Sequence, residues 1–244
     1  YVYTYYDEPE KVELYFENRF IPGVTYELTI SNNLMNCMLL NLSADTLVYF
    51  GLPDIVTTND IVINEILFNP WTNGKDYVEL YNPSSKIIDL STLSIGSIKE
   101  NPPNPPDTSI YNIVSSQSLF MPDEYMVLTM SPEAVMKQYT IKDPNAFLKV
   151  DPFPSYNNDE GHVFLISNDD IIIDSLSYSE DMQFPLLVYF EGVALERIVP
   201  NMSINGINNW HSAAENAGFG TPGYKNSQHV SNNKKVDEII IEPE

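Results

Sequence analysis

Residues 1–59 alternate apolar and polar side chains in short runs. These are Val12-Glu13-Leu14-Tyr15-Phe16 and Val24-Thr25-Tyr26-Glu27-Leu28-Thr29-Ile30, joined across Ile21-Pro22-Gly23, then Thr46-Leu47-Val48-Tyr49-Phe50, which stops at Gly51-Leu52-Pro53. A period of two bounded by Pro-Gly predicts antiparallel strands. So few strands cannot close a sandwich, so the stretch is expected to be part of a β domain with earlier strands upstream. Residues 60–226 open with Ile61-Val62-Ile63-Asn64-Glu65-Ile66-Leu67-Phe68, which turns through Asn69-Pro70-Trp71-Thr72-Asn73-Gly74 into Asp76-Tyr77-Val78-Glu79-Leu80-Tyr81. Asn-Gly favours such a hairpin because Gly accepts a positive φ. The same alternation predicts strands at 87–90, 93–98, 110–114, 125–130, 162–166, 171–178, 187–190 and 193–198. One short helix is predicted over 131–139, with Ser131 as cap, Pro132 at the first helical position and Glu133 complementing the helix dipole. Many short strands with frequent turns predict an all-β sandwich or barrel. Residues 227–244 begin as a polar linker and end in Val236-Asp237-Glu238-Ile239-Ile240-Ile241, expected to be the first strand of a following domain.

Charge narrows the function classes. The 244 residues carry 34 acidic and 12 basic side chains, a net charge of −22. Phosphate binding needs clustered Lys and Arg, so nucleic acid is excluded as a partner, and an anionic bilayer would repel the chain. No apolar run approaches the roughly 20 residues of a membrane span, so membrane insertion is not expected. Cys37 is the only cysteine, which excludes an intrachain disulfide and a thiolate zinc site.

The candidate chemistry is sparse. The histidines are His162, His211 and His229, and neither His-Glu-x-x-His, Gly-x-Ser-x-Gly nor a phosphate-cradling glycine loop occurs. A Ser/His/Asp triad could still assemble from distant residues, because triads are defined by geometry; the expectation is nevertheless no enzyme. The acidic pairs Asp159-Glu160 and Asp169-Asp170 are the candidate metal ligands, with Ca2+ as the cation, since calcium takes about six to eight oxygens. Against that, Asn157-Asn158-Asp159-Glu160-Gly161 lacks the alternating spacing of an EF-hand loop, and Asn168-Asp169-Asp170 reads as a hairpin turn. No cofactor is therefore expected, and the acidic loops, Glu180-Asp181 among them, are expected to be solvated. Glu65 and Glu79 alternate with apolar neighbours and are expected on an outer face or near a sheet edge. Arg197, beside Glu196, is expected in a structural ion pair. Trp71, Trp210 and Tyr111 are the candidate ligand-binding aromatics, which could stack on sugar rings, although core packing is the favoured reading of Trp210.

Three groups of residues carry a family resemblance. Ile63-Asn64-Glu65-Ile66, Tyr77-Val78-Glu79-Leu80-Tyr81-Asn82-Pro83-Ser84 and Ile88-Asp89-Leu90-Ser91 resemble the opening of a lamin tail domain. Gly161-His162-Val163-Phe164-Leu165-Ile166-Ser167 and Ile173-Asp174-Ser175-Leu176-Ser177-Tyr178 are similar to its middle. Gly192-Val193-Ala194-Leu195-Glu196-Arg197, Asn209-Trp210 and Gly220-Thr221-Pro222-Gly223-Tyr224-Lys225-Asn226 are similar to its close. The resemblance spans about 60–226 and implies an immunoglobulin-like β-sandwich of the bacterial branch, found in secreted and cell-surface multidomain proteins. The stretch at 102–156 departs from the animal lamins as an insertion, and with no coiled-coil rod a nuclear role is not implied. Residues 1–59 are similar to the end of a bacterial Ig-like repeat. The expected organisation is thus the C-terminal part of an Ig-like β domain at 1–59, a lamin-tail-like sandwich with a short helix in its insertion at 60–226, and a linker with the first strand of a following domain at 227–244. The expected function is a non-enzymatic structural or interaction module, an adhesive element or spacer, on the bacterial outer surface. Its partner would be an unknown protein or a surface glycan. The 102–156 insertion would present the contact, because loops on rigid scaffolds carry function. The alternatives are a carbohydrate-binding module and an accessory domain of an extracellular hydrolase whose catalytic part lies outside this chain.

Overall fold

A computed structural model of the chain describes residues 2–4, 12–35, 41, 43–100, 102–200 and 206–230. Cys37 and the strand expected at 236–241 lie outside the described residues. The chain divides into two compact units, Tyr1–Asp54 and Ile55–Glu244.

The first unit holds two antiparallel pairs, β1 (Val2–Thr4) with β2 (Val12–Leu14) and β3 (Tyr26–Ile30) with β4 (Thr46–Phe50). Phe20 meets Tyr26 edge-on at 4.9 Å and Phe50 at 5.3 Å, so aromatic side chains form its small core. Gly23 turns the chain at φ 71°, the left-handed backbone that a Pro-Gly turn requires.

The second unit is an immunoglobulin-like β-sandwich. Its strands are β5 (Val62–Leu67), β6 (Tyr77–Tyr81), β7 (Ile88–Asp89), β8 (Leu93–Lys99), β9 (Asp107–Asn112), β10 (Leu119–Phe120), β11 (Tyr125–Thr129), β12 (Phe147–Lys149), β13 (Glu160–Ser167), β14 (Ile172–Ser179), β15 (Leu195–Arg197) and β16 (Trp210–Ser212), with one helix, α1 (Pro132–Met136). One sheet runs β12-β11-β6-β5-β15-β16 and the other β14-β13-β8-β9; β7 pairs separately with β10. The pairs are antiparallel except β11 with β12. Ile63, Ile66, Val78, Leu80, Ile95, Leu128, Val163, Leu165 and Leu195 fill the space between the sheets, all fully buried.

A register shift between Ile63 and Glu65 changes the phase of β5. An extra residue in one strand turns the side chains after it to the opposite face. Ile63 and Ile66 therefore both point into the main core, whereas Leu67 joins a second cluster with Tyr77, Val127, Val135, Tyr139, Ala194 and Ala213. That second cluster covers the other face of the six-stranded sheet, so every residue of β5 is buried.

Several expectations are corrected. Residues 102–156 are framework: β9 pairs with β8, β11 pairs with both β6 and β12, and Phe120, Leu128, Val150 and Phe153 enter the main core. Residues 187–190 form no strand. The helix spans five residues only, and Ser131, although at its N-cap, makes no side-chain cap bond; its hydroxyl lies 3.3 Å from Glu133 Oε2. In the β5–β6 loop it is Asn73, not Gly74, that takes the positive φ of 66°. Gly74 is instead required by space, since a Cβ there would lie 2.8 Å from the Trp71 carbonyl oxygen.

Candidate functional site

Three glutamates stand side by side on the covered face of the six-stranded sheet. Cross-strand register places Glu65 of β5 opposite Glu79 of β6 on one side and Glu196 of β15 on the other. All three are 0% exposed and stand on interior strands, which corrects the expectation of a sheet edge or of exposed charge for Glu65 and Glu79. The sheet face is the outer one, but the segment 221–228 lies over it like a strap. Gly223 N–H donates to Glu79 Oε2 (2.6 Å), Thr221 N–H to Glu65 Oε1 (3.0 Å), and Ser227 Oγ and Gln228 N–H to Glu196 Oε2 (2.7 and 2.8 Å). Asn226 donates to the carbonyls of Asn64 and Arg197, 2.9 Å each, while Asn64 Nδ2 reaches both Glu79 and Asn226 at 2.7 Å.

Proton counting assigns the charge of Glu65. Thr221 Oγ1 lies 2.7 Å from Glu65 Oε2 and 2.8 Å from Glu196 Oε1. A hydroxyl has one proton, so one of those two contacts is donated by a carboxylic acid. Glu65 is that acid: burial, and then the Glu196 charge, push it up to about 8, against the lowering effect of the Tyr77 hydroxyl that donates to its Oε1. Burial and the neighbouring Glu65 also raise Glu79 well above the ordinary carboxyl range. Tyr77 is raised well above 10, by burial first and then by Glu65.

An ion pair crosses the sandwich interior. Arg197 Nη1 lies 2.6 Å from Asp174 Oδ2 and 3.0 Å from the Ile63 carbonyl, and Asp174 Oδ2 also accepts the Ile63 N–H at 2.8 Å. Asp174 sits on β14 of one sheet, Arg197 and Ile63 on β15 and β5 of the other. The structural ion pair expected of Arg197 is made with Asp174; successive strand residues face opposite sides, so the adjacent Glu196 points to the strap. Arg197 Nε and Nη2 have no hydrogen-bond partner among the described residues, and the guanidinium stands 5.7 Å from the Trp210 ring centroid.

The sequence-predicted site residues are dispersed. Trp210, on β16, is 4% exposed and part of the main core. Trp71, in the β5–β6 loop, stacks on Tyr139 with centroids 5.3 Å apart, and Tyr111 lies on the edge strand β9, half-buried. Asp159 and Glu160 stand at the start of β13, whereas Asp169 and Asp170 form the turn after its end, with Asp170 at φ 61°. An eight-residue strand at about 3.3 Å per residue holds the two pairs more than about 20 Å apart. Among the described residues no three His, Cys, Asp or Glu side chains group closely enough to hold a metal ion. Asp159 and Glu160 line a surface cleft with Ile98, His162, Ser177 and Met182. There His162 Nδ1 lies 2.9 Å from Ser177 Oγ, its cross-strand partner, and burial lowers the imidazole from 6.5.

Reading the pattern as a strand missed the loop 184–190, Phe184-Pro185-Leu186-Leu187-Val188-Tyr189-Phe190. Its signal was apolar residues without alternation. Leu186, Val188 and Tyr189 are 80%, 81% and 81% exposed. The base is pinned: buried Gln183 donates to the Val193 carbonyl (3.0 Å) and accepts from Ser212 Oγ (2.5 Å), which in turn accepts the Phe184 N–H (2.7 Å). Gly192 closes the loop at φ 77°, its N–H on the Asn69 carbonyl at 2.7 Å, and a Cβ there would run into the Trp71 ring. Gly192→Ala is expected to lower stability by about 1–3 kcal/mol from the backbone alone, with the ring clash added; denaturant unfolding checks this, and a loss below about 0.5 kcal/mol would refute it.

Compared with protein-family models, the chain matches that of the Lamin Tail Domain over residues 56–180, just over half its length. No curated protein matches the chain. The matched stretch carries β5 to β14 with Glu65, Glu79 and Asp174; Glu196, Arg197 and the strap lie beyond it.

Proposed function

The chain belongs to the lamin tail domain family, and from that premise we propose that it is a non-catalytic structural and interaction module of a bacterial secreted or cell-surface multidomain protein, serving as a rigid spacer that also holds a partner. The strap is the observation that carries this reading. Residues 221–228 are bonded into the sandwich through three buried carboxyls on three neighbouring strands, so tension on the chain beyond them is borne by the sheet. An acidic surface, net −22, supports a soluble module that does not self-associate.

The test is single-molecule unfolding of the full chain pulled from its two ends. Thr221→Val keeps the side-chain shape and removes the hydroxyl shared by Glu65 and Glu196, at a cost of about 1–3 kcal/mol. The variant is expected to unfold at lower force. Equal force in both proteins would overturn the role of the strap in carrying tension.

A further inference from the structure

We propose that the loop 184–190 is a docking finger for a partner protein that presents an apolar patch bordered by Lys and Arg. This rests on the interaction half of the function proposed above and names its contact surface and partner chemistry.

Single exposed apolar residues are ordinary on protein surfaces, whereas consecutive ones are not. Leu186, Val188 and Tyr189 each expose about four-fifths of their surface within four residues, and Phe184 adds 41%. Such a contiguous patch marks a site that another molecule covers. The finger is also pre-organised. Buried Gln183 and Ser212 hold one side of its base, Gly192 and Asn69 hold the other, and Leu187 N–H turns back to the Phe184 carbonyl at 3.0 Å. Holding the loop in one shape before binding reduces the entropy lost on docking. Phe184 also packs on the His211 ring, 5.4 Å between centroids, so the finger is carried on β16.

Charge selects the partner. No Lys or Arg occurs between Lys149 and Arg197, and Arg197 is fully buried. Glu180 and Asp181 precede the finger in the chain and Glu191 comes directly after it, so acidic residues border its apolar tip on both sides in the sequence. Complementary potential across an interface steers association and suppresses wrong partners. The acidic border repels an anionic bilayer and a second copy of this strongly acidic chain, and it attracts a basic rim.

The experiment uses the full chain and, as probes, a short peptide alternating Leu and Lys, its Leu/Glu counterpart, and phosphatidylcholine vesicles. The comparison protein is the double variant Leu186→Asp/Val188→Asp, whose substituted side chains lie in solvent and leave the melting temperature unchanged. The Leu/Lys peptide is expected to bind the parent and to bind the double variant about tenfold or more weakly, whereas the Leu/Glu peptide does not bind. The design separates the explanations by sign, because a purely electrostatic attraction would strengthen when two negative charges are added. Equal or tighter binding by the variant, or no binding by the parent, overturns the proposal. Loop-dependent binding to the vesicles overturns it in favour of a lipid surface, and loop-dependent dimerisation on sedimentation overturns it in favour of a second copy. Each failure leaves the unfolding force intact, so loss of this inference is distinguishable from loss of the structural role.

Discussion

Between about pH 5 and pH 9 the melting temperature of the protein is expected to fall steadily, and Glu65→Gln is expected to flatten much of that fall. The sign is set by where the proton is held. In the folded chain Glu65 keeps its proton up to about 8, whereas an exposed glutamate releases it near 4.5. The stabilisation from this group is therefore fully present below pH 4.5 and is lost as the pH rises through about 8. At about 1.4 kcal/mol for each pH interval the full loss is on the order of 5 kcal/mol. Glu79, also raised, adds to it with the same sign. Glutamine is the right probe because it copies the protonated acid: its carbonyl can accept from Tyr77 and from the Thr221 N–H, and its NH2 can donate to Thr221 Oγ1. Glu65→Ala, which leaves those groups unpaired beside a cavity, is expected to destabilise at every pH. Thermal melts across the range decide it. An unchanged slope in Glu65→Gln would mean that the carboxylic proton sits elsewhere in the row.

Arg197→Met is expected to cost about 3–5 kcal/mol at neutral pH, because it strands the Asp174 carboxylate in the interior. Asp174 is 4% exposed and Arg197 0%, so neither charge can turn to water. Asp174→Asn is expected to cost less than Arg197→Met, since the amide oxygen still accepts the Ile63 N–H. Replacing both, as Arg197→Met/Asp174→Leu, is expected to recover only part of the loss, because the Ile63 N–H and carbonyl then go unpaired. Equilibrium urea unfolding measures all three. A cost below about 1 kcal/mol for Arg197→Met would show that the pair does not tie the sheets together.

Strand content and fold class were legible in the chain because side chains of alternating polarity report a half-buried strand locally. β6, β8, β11, β13 and β14 fall where the alternation places them. The turn at Asn168-Asp169-Asp170 was legible for the same reason: the backbone need is local and Asp170 meets it. The short strands β10, β12 and β16 were not, since two or three residues carry no period and owe their strand form to the neighbour they pair with.

Local pattern and composition therefore settled the all-β class, its turns and the net acidity of the chain, each a sum over short-range or compositional effects. Which acids are solvated and which are buried was settled only by long-range packing. Asp159 and Asp169 stand in polar loop sequences and Glu65 and Glu79 in apolar alternation, but that alternation fits a solvated outer face as well as a covered one. The separation comes from a segment about 150 residues downstream, where Thr221 and Gly223 close over the sheet and remove Glu65 and Glu79 from water. The apolar loop shows the converse: 184–190 reads as a core strand, yet it pairs with no strand and Leu186, Val188 and Tyr189 stay exposed. Burial is a property of what lies opposite a residue, and that is set by chain segments far away in sequence.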